Sequence, residues 1–409
     1  MASEEQNPGP LAGVTVLDLS RVLAGPWATQ ALADLGAEVI KVERPGAGDD
    51  TRHWGPPFAT GEDGAVSDAA YFFCANRNKR SVAIDIATPE GAELVRRLAQ
   101  KVDVLVENFK VGGLKKYGLD FETLHALNPR LVYCSITGFG QTGPYAARAG
   151  YDYMIQAMGG LMSITGDEDG EPMKVGVAVV DLFAGLYASN AILAALLHAR
   201  ATGEGQHIDI ALFEVQAAML ANQASNWFVS GEVPQRMGNA HPNLAPYQPL
   251  PTADGALVVA VGNDGQFRAL CAALGDGALG EDARFRTNAL RVQHRGELTG
   301  RLKALTAART TAEWIAALEA AGVPCGPVNS VEEVFAEPQA KARGLVVEQA
   351  RGDLDAPVRT VASPMRLSAT PASYRSPPPK LGADTAGVLA GALDLPADHI
   401  AALKQKGVI

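Results

Sequence analysis

The sequence predicts an α/β protein with a mostly parallel sheet. Three observations carry that expectation. Short runs rich in β-branched residues alternate with helix-length segments through the first half of the chain. Glycine is abundant, 43 of 409 residues, against about 7% in an average protein, which favours tight turns and close backbone approach to a ligand. An apolar stretch over 176–197 (GVAVVDLFAGLYASNAILAALL) carries a single formal charge, Asp181. Alternating strands and helices give a helix-covered layer of parallel strands.

Residues 14–20 (VTVLDLS) suit a buried parallel strand. Ala24-Gly25-Pro26 opens a helix, with Pro26 fitting its first turn, and Gly36 stops it after Leu35. Residues 38–43 (EVIKVE) form the next strand and complete a β-α-β unit. The pattern recurs, with strands over 81–86, 102–107 and 131–136 and helices over 89–101 and 121–127. A helix over 151–162 precedes the apolar stretch. A turn at 202–205, a strand over 206–212 and a helix over 214–229 follow it. Residues 231–251, rich in Pro, Asn and Gly, read as a linker or active-site loop. Residues 255–325 form a smaller unit, with a strand at 256–261 and helices at 264–274 and 311–321. The chain then returns through 331–343, short strands, a proline-rich 376–380 and a helical tail.

The apolar stretch has two readings. About 20 apolar residues suffice to cross a bilayer. However, no other segment resembles a span, and aromatic residues do not belt both of its ends. Asp181 lies near its start, where a helix N-terminus stabilises negative charge by about 0.3–1 kcal/mol. The stretch therefore reads as the central helix of a soluble protein. Asp181 is then either an N-cap, accepting a backbone N–H and nothing more, or a nucleophile.

Hydrophobic residues make up 47% of the chain and charged residues 20%, as in globular proteins. A net charge of −10 argues against a nucleic-acid surface. Cys74, Cys134, Cys271 and Cys325 are scattered, so they read as core thiols in a reducing compartment. The first ten residues, MASEEQNPGP, lack the apolar core of a secretory leader. A cytoplasmic enzyme is the expectation. The seven histidines lack metal-ligand spacing, so no metal site is expected. Gly46-Ala47-Gly48 does not extend into a dinucleotide fingerprint. No phosphate-binding P-loop and no GxSxG elbow occur.

The positive signals are basic groups at strand ends. Lys41 and Arg44 flank the 46–48 turn; Arg77, Lys79 and Arg80 cluster before a strand; Lys110, Lys115 and Lys116 follow Glu107-Asn108-Phe109. Ligands of open α/β sheets bind outside the carboxyl ends of the strands. Each cluster alone is an ordinary solvated surface; together they suit a long anionic ligand with several phosphates.

With these pieces in order, the chain resembles the class III CoA-transferases over nearly its whole length. The motifs are SRVLAGPWATQALADLGAEVIKVERPGAGDDTR, NRNKRSVAIDI, DVLVENF, ITGFGQTGP, VAVVDLFAGLYA and AGVPCGPVNS. They are most like the branch that uses succinyl-CoA and dicarboxylates such as glutarate or hydroxymethylglutarate. The resemblance implies a Rossmann-like large domain built from both chain ends (1–225 and 331–409) and a smaller α/β domain between them (226–330). It implies an open-ring protomer interlocked with its twin in a homodimer. It implies Asp181 as the nucleophile, passing through an aspartyl anhydride and an aspartyl-CoA thioester. Coenzyme A would be a substrate, with no permanently bound cofactor. By motif position, Val22, Ala24, Arg44, Lys79, Asn108, Phe109, Lys116, Tyr117, Thr137 and Phe139 would meet CoA. Arg21, Leu23 and Tyr151 would face the acyl end. The segment 241–248, with His241 and Tyr247, would stand in for the family's lid.

Related racemases share this fold and use a His–Asp pair at the substrate α-carbon. Here Tyr151 occupies the histidine position of their AGHD motif. A phenol with an ordinary pKa of about 10 is a poor neutral-pH base, so transferase is favoured over racemase. A non-catalytic CoA-binding dimer is the remaining alternative. A dicarboxylate needs a cation for its far charge, and Arg is the best bidentate partner; Arg21, Arg52 and Arg77 are the candidates, with His241 and Tyr247 as polar partners.

Overall fold

The computed structural model describes residues 9–61 and 63–409. Residues 1–8, most of the N-terminal stretch expected not to be a secretory leader, lie outside the described residues. The chain divides into two units. The larger takes residues up to Leu161, then Val175–Asn222 and Lys341–Ile409; the smaller takes Met162–Lys174 and Gln223–Ala340. Against the expected 226–330, the smaller unit thus gains residues at both ends and a short excursion ahead of the apolar helix.

The larger unit begins with β1 (Thr15–Asp18), α1 (Ala24–Asp34) and β2 (Glu38–Glu43). A 3-10 turn and a hairpin of β3 (Phe58–Thr60) and β4 (Val66–Ala69) follow, then a single turn, α2 (Ala70–Phe73). Next come β5 (Lys79–Ala83), α3 (Pro89–Ala99), β6 (Val104–Glu107), α4 (Phe121–Leu127) and β7 (Val132–Thr137). The unit continues through α5 (Asp152–Met158), α6 (Val179–Thr202), β8 (His207–Ala211) and α7 (Leu212–Met219). The expected helix over 214–229 is instead two, because Leu220 ends α7 and Ala221, with φ of 43°, turns the chain into a second helix, Ala221–Ser230.

Six strands pair in the order β5-β2-β1-β6-β7-β8, every pair parallel. The order runs outward both ways from β1, so the chain reverses direction across the sheet between β1 and β6. Both faces are covered, which explains the unbroken apolar strands. Along β1, Val16 points into the core shared with α1 and α6, while Leu17 points into the core under α3 and the C-terminal helices Thr385–Leu393 and Ala397–Gln405.

Among the described residues, α6 is the one helix long and apolar enough to span a membrane. Its buried side, from Val180 through Ala184, Ala188 and Ile192, packs into the first of those cores. Phe183, Leu186, Tyr187 and Leu197 remain exposed on its other side.

The smaller unit holds a three-stranded antiparallel sheet, Tyr247–Pro251, Ala256–Ala260 and Cys325–Pro327. It packs on helices that include Asp264–Ala273, Arg295–Thr306 and Thr311–Ala320, around Phe267, Phe285 and Trp314. Part of the stretch read as a linker, from Tyr247, is therefore a strand. Cys134 and Cys271 are buried, but Cys74 is exposed and Cys325 half-buried, so only two of the four thiols are core residues.

Candidate active site

A cleft of about 1210 Å³ opens at the carboxyl ends of the strands, and every residue lining it belongs to the larger unit. Its floor lies where β1 and β6 part, the position at which ligands collect in doubly wound sheets. The loops leaving these strands are clamped together by one amide side chain. Arg21 N–H donates to Asn108 Oδ1 at 2.9 Å, and Asn108 Nδ2 donates to the Arg21 carbonyl at 2.7 Å. The next residue, Val22, has φ of 72°. That left-handed region is disfavoured for a β-branched side chain and costs about 1–3 kcal/mol unless the surroundings enforce it. Here Asp49 Oδ1 accepts the Val22 N–H at 3.2 Å. The bent loop delivers Leu23 and Ala24, at the start of α1, to the cleft wall.

Buried ion pairs hold this floor from below. Lys41 Nζ lies 2.8 Å from Asp49 Oδ2, both side chains fully buried. Burial alone would raise Asp49, but the Lys41 charge and bonds from Thr51 hold it at about 2. Lys79 Nζ donates to Asp18, to the Pro26 carbonyl and to Asn76. Arg52 grips Glu43 through two bonds of 2.7 and 2.8 Å, reaches Asp68, and lies over the Phe72 ring. Arg77 forks onto Asp34 at 2.6 and 2.9 Å and also donates to the Val361 carbonyl.

Asp181 is the third residue of α6, and the N-cap position belongs to Ala178. Capping is supplied from another helix: Asp152 Oδ1 accepts Val180 N–H at 2.8 Å and Asp181 N–H at 3.4 Å. The Asp181 carboxylate is thereby freed from capping its own helix, and it lines the cleft. Burial, reinforced by the Asp152 charge, raises its pKa to about 7. Gly185, one turn further along α6, lets the two helices meet at backbone contact: a Cβ there would lie 2.7 Å from the Ala24 carbonyl oxygen. That contact sets the Leu23–Ala24 wall beside the Asp181 turn. A half-buried carboxylate of this kind, facing a cleft and, among the described residues, unencumbered by hydrogen bonds, can act as a nucleophile or as a proton donor and acceptor.

Of the residues expected at the site, the cleft gathers Arg21, Val22, Leu23, Ala24, Arg44, Asn108, Phe109, Lys116, Tyr117, Thr137, Tyr151 and Asp181. It does not gather Lys79, Arg52 or Arg77. Each is at most 3% exposed and committed to carboxylates in the core. Phe139 lies behind the wall, against Tyr145 and Phe213. His241 and Tyr247 belong to the smaller unit, where their rings pack 5.2 Å apart. Among the described residues no cluster of three or more His, Cys, Asp or Glu is placed to hold a metal ion.

Sequence reasoning passed over Asp152, Asp49 and Arg148. Asp152 and Arg148 stand in the same ARAGYD run that drew attention to Tyr151. An Asp two residues past a glycine, opening a short helix, was the available signal.

The profile of CoA-transferase family III matches residues 11–385 of the chain. A succinate–glutarate CoA-transferase of Agrobacterium fabrum is 57% identical over 385 residues, covering 93% of this chain and 95% of that protein. A succinyl-CoA:glutarate CoA-transferase of Mus musculus is 47% identical over 403 residues, covering 98% and 90%. Among solved structures, a CaiB/BaiF family protein from Brucella suis superposes with a TM-score of 0.84 at 53% identity, covering 94% of this chain and all of that one.

Proposed function

This chain belongs to CoA-transferase family III and is a transferase, and from that premise we propose that it moves CoA from succinyl-CoA to a free dicarboxylic acid through Asp181. Relatives named for glutarate with succinate or succinyl-CoA, at 47–57% identity, support the choice of donor and acceptor class. The observation that carries the role of Asp181 is its placement: a carboxylate in the cleft wall whose helix is capped by another residue, Asp152.

In the proposed cycle a carboxylate oxygen of Asp181 attacks the thioester carbonyl of the donor. The C–S bond breaks, giving a mixed anhydride and the CoA thiolate. The thiolate attacks the aspartyl carbonyl and releases the donor acid, leaving an aspartyl-CoA thioester. The acceptor carboxylate attacks that thioester, forming a second anhydride and freeing the thiolate again. Attack of the thiolate on the acceptor carbonyl yields the new acyl-CoA and restores Asp181. Covalent exchange of this kind divides one difficult transfer into several easier steps. CoA is a substrate throughout. Arg44, Lys110 and Lys116, on the loops after β2 and β6, are the cations read as facing its phosphates, with Phe109 and Tyr117 beside them.

The protein is read as a homodimer, interlocked as in the family it resembles. In support, α6 leaves Phe183, Leu186, Tyr187 and Leu197 exposed on one side, and an uncovered apolar helix face of this kind commonly marks an interface.

The test is mass spectrometry of the protein incubated with succinyl-CoA and hydroxylamine. Wild type should carry a hydroxamate at Asp181, and an Asp181→Ala variant none. A labelled site elsewhere, or transfer activity retained by Asp181→Ala, would refute the assignment.

A further inference from the structure

Arg148 lines the cleft, is exposed, and makes no ion pair among the described residues. Its guanidinium lies 4.5 Å from the centre of the Tyr145 ring and 5.3 Å from that of Phe139. Among the described residues its one polar contact is Nη2 to Met158 Sδ at 3.9 Å, beyond the reach of an ordinary hydrogen bond. A guanidinium lying over aromatic faces keeps its in-plane N–H groups open. Those groups form the fork that matches a carboxylate.

The segment carrying Arg148 is held at two points, one at the end of β7 and one on the helix of the nucleophile. Gly150 meets Gly138, just past β7, so closely that a Cβ on Gly138 would lie 2.5 Å from the Gly150 Cα. Asp152 bonds the first turn of α6. Arg148 is four residues before Asp152, a span of at most about 14 Å for extended chain. The other cations at the cleft are differently placed or engaged. Arg44 follows β2, and Lys110 and Lys116 follow β6. Arg21 pairs with Asp50 at 3.0 Å. Arg52 and Arg77 do not reach the cleft and are sealed in the core.

We infer that Arg148 is the specificity-determining residue for the far carboxylate of a dicarboxylic acid. This inference rests on the transferase reading of Asp181. In a cycle where donor acid leaves before acceptor enters, both acyl groups occupy one site in turn. A single cation there serves succinyl-CoA and the acceptor alike. It holds the distal charge while the near carboxyl group meets Asp181.

The shared chemistry, a planar group binding an oxyanion, would also suit a CoA phosphate, and the experiment separates the two. Transfer from succinyl-CoA is measured with glutarate and with pentanoate, acids of equal length that differ in the far carboxylate. Wild type, Arg148→Ala and Arg148→Lys are compared, with thermal melting as a check on folding. The expected result is that Arg148→Ala lowers the glutarate-to-pentanoate ratio of kcat/KM at least tenfold. Arg148→Lys, with charge but no fork, should fall between. Acetyl-CoA should overtake succinyl-CoA as donor for Arg148→Ala, while the KM for acetyl-CoA, which carries the same CoA phosphates but no far carboxylate, stays within threefold. An unchanged ratio with a raised KM for acetyl-CoA would place Arg148 on a phosphate and overturn the inference. Equal loss for both acids would also overturn it. A wild-type protein that forms no Asp181 hydroxamate with any acyl-CoA would instead overturn the underlying reading, and this inference with it.

Discussion

Asp152 and Asp181 are joined through backbone: Asp152 Oδ1 takes the N–H of Val180 and that of Asp181, so one carboxylate fixes the helix turn that carries the other. Asp152 also accepts a bond from Gln156 Nε2 at 2.6 Å, which fixes its own orientation. The pairing has an electrostatic consequence. Burial raises the pKa of Asp181, and the Asp152 charge beside it adds to the rise.

A pH dependence follows. Attack on a thioester requires the ionised carboxylate, and Asp181 ionises at about 7. The rate of hydroxamate formation at low donor concentration should therefore climb about tenfold per pH unit below 6 and level off above 8. Asp152→Asn keeps an oxygen for the Val180 N–H but removes the charge, so its profile should shift to lower pH. Glu107, raised to about 7 chiefly by burial, titrates in the same window beneath Phe109. Glu107→Gln is the control, and it should leave the midpoint in place. A midpoint that moves with Glu107 and not with Asp152 would assign the profile to the wrong carboxyl here.

The same shift makes a statement about stability. A carboxyl whose folded pKa is raised binds its proton more tightly in the folded state than in the unfolded one. The stability it lends is full below about pH 4 and is lost as the pH rises to about 7. Asp181→Asn escapes that loss. Relative to wild type, the variant should gain on the order of 1–2 kcal/mol between pH 4 and pH 8, discounted for the water-facing side of the group. Denaturant unfolding of both proteins at the two pH values reads the difference directly.

Much of the sheet was legible because strand identity here is local. VTVLDLS, EVIKVE and LVYCSI are apolar on both sides, and the helices between them end at glycines or begin at proline. The hairpin β3–β4 was not legible, since Phe58–Thr60 and Val66–Ala69 are short, partly exposed and without alternation. Asp181 stood out because it was alone in an apolar stretch. The arginines and lysines misled, because sequence gives charge but not depth. Arg44 and Arg52 sit eight residues apart on one connection, yet one lines the cleft and the other lies under it. What separates them is Glu43, whose side chain turns inward to take the Arg52 fork. Arg148 was overlooked for the converse reason: no basic cluster surrounds it.

Depth makes these cations separable by experiment. Lys79 lies beside Asp18 with both side chains fully buried, and its pKa falls to about 8 because burial outweighs the attraction of Asp18. Removing one member of such a pair leaves a charge in the core without a partner, at a cost of about 3–5 kcal/mol. Lys79→Ala and Arg77→Ala should each lose that much in denaturant unfolding. Whatever activity survives should keep the wild-type preference among acids. Arg44→Ala, at an exposed cleft position, should leave unfolding within about 0.5 kcal/mol of wild type and raise the KM for acyl-CoA, more so at low ionic strength, where phosphate contacts count most. If Lys79→Ala unfolded like wild type and lost CoA affinity instead, Lys79 would have to reach the cleft by leaving Asp18, and the ion pair at 3.1 Å would be a resting arrangement that ligand binding breaks.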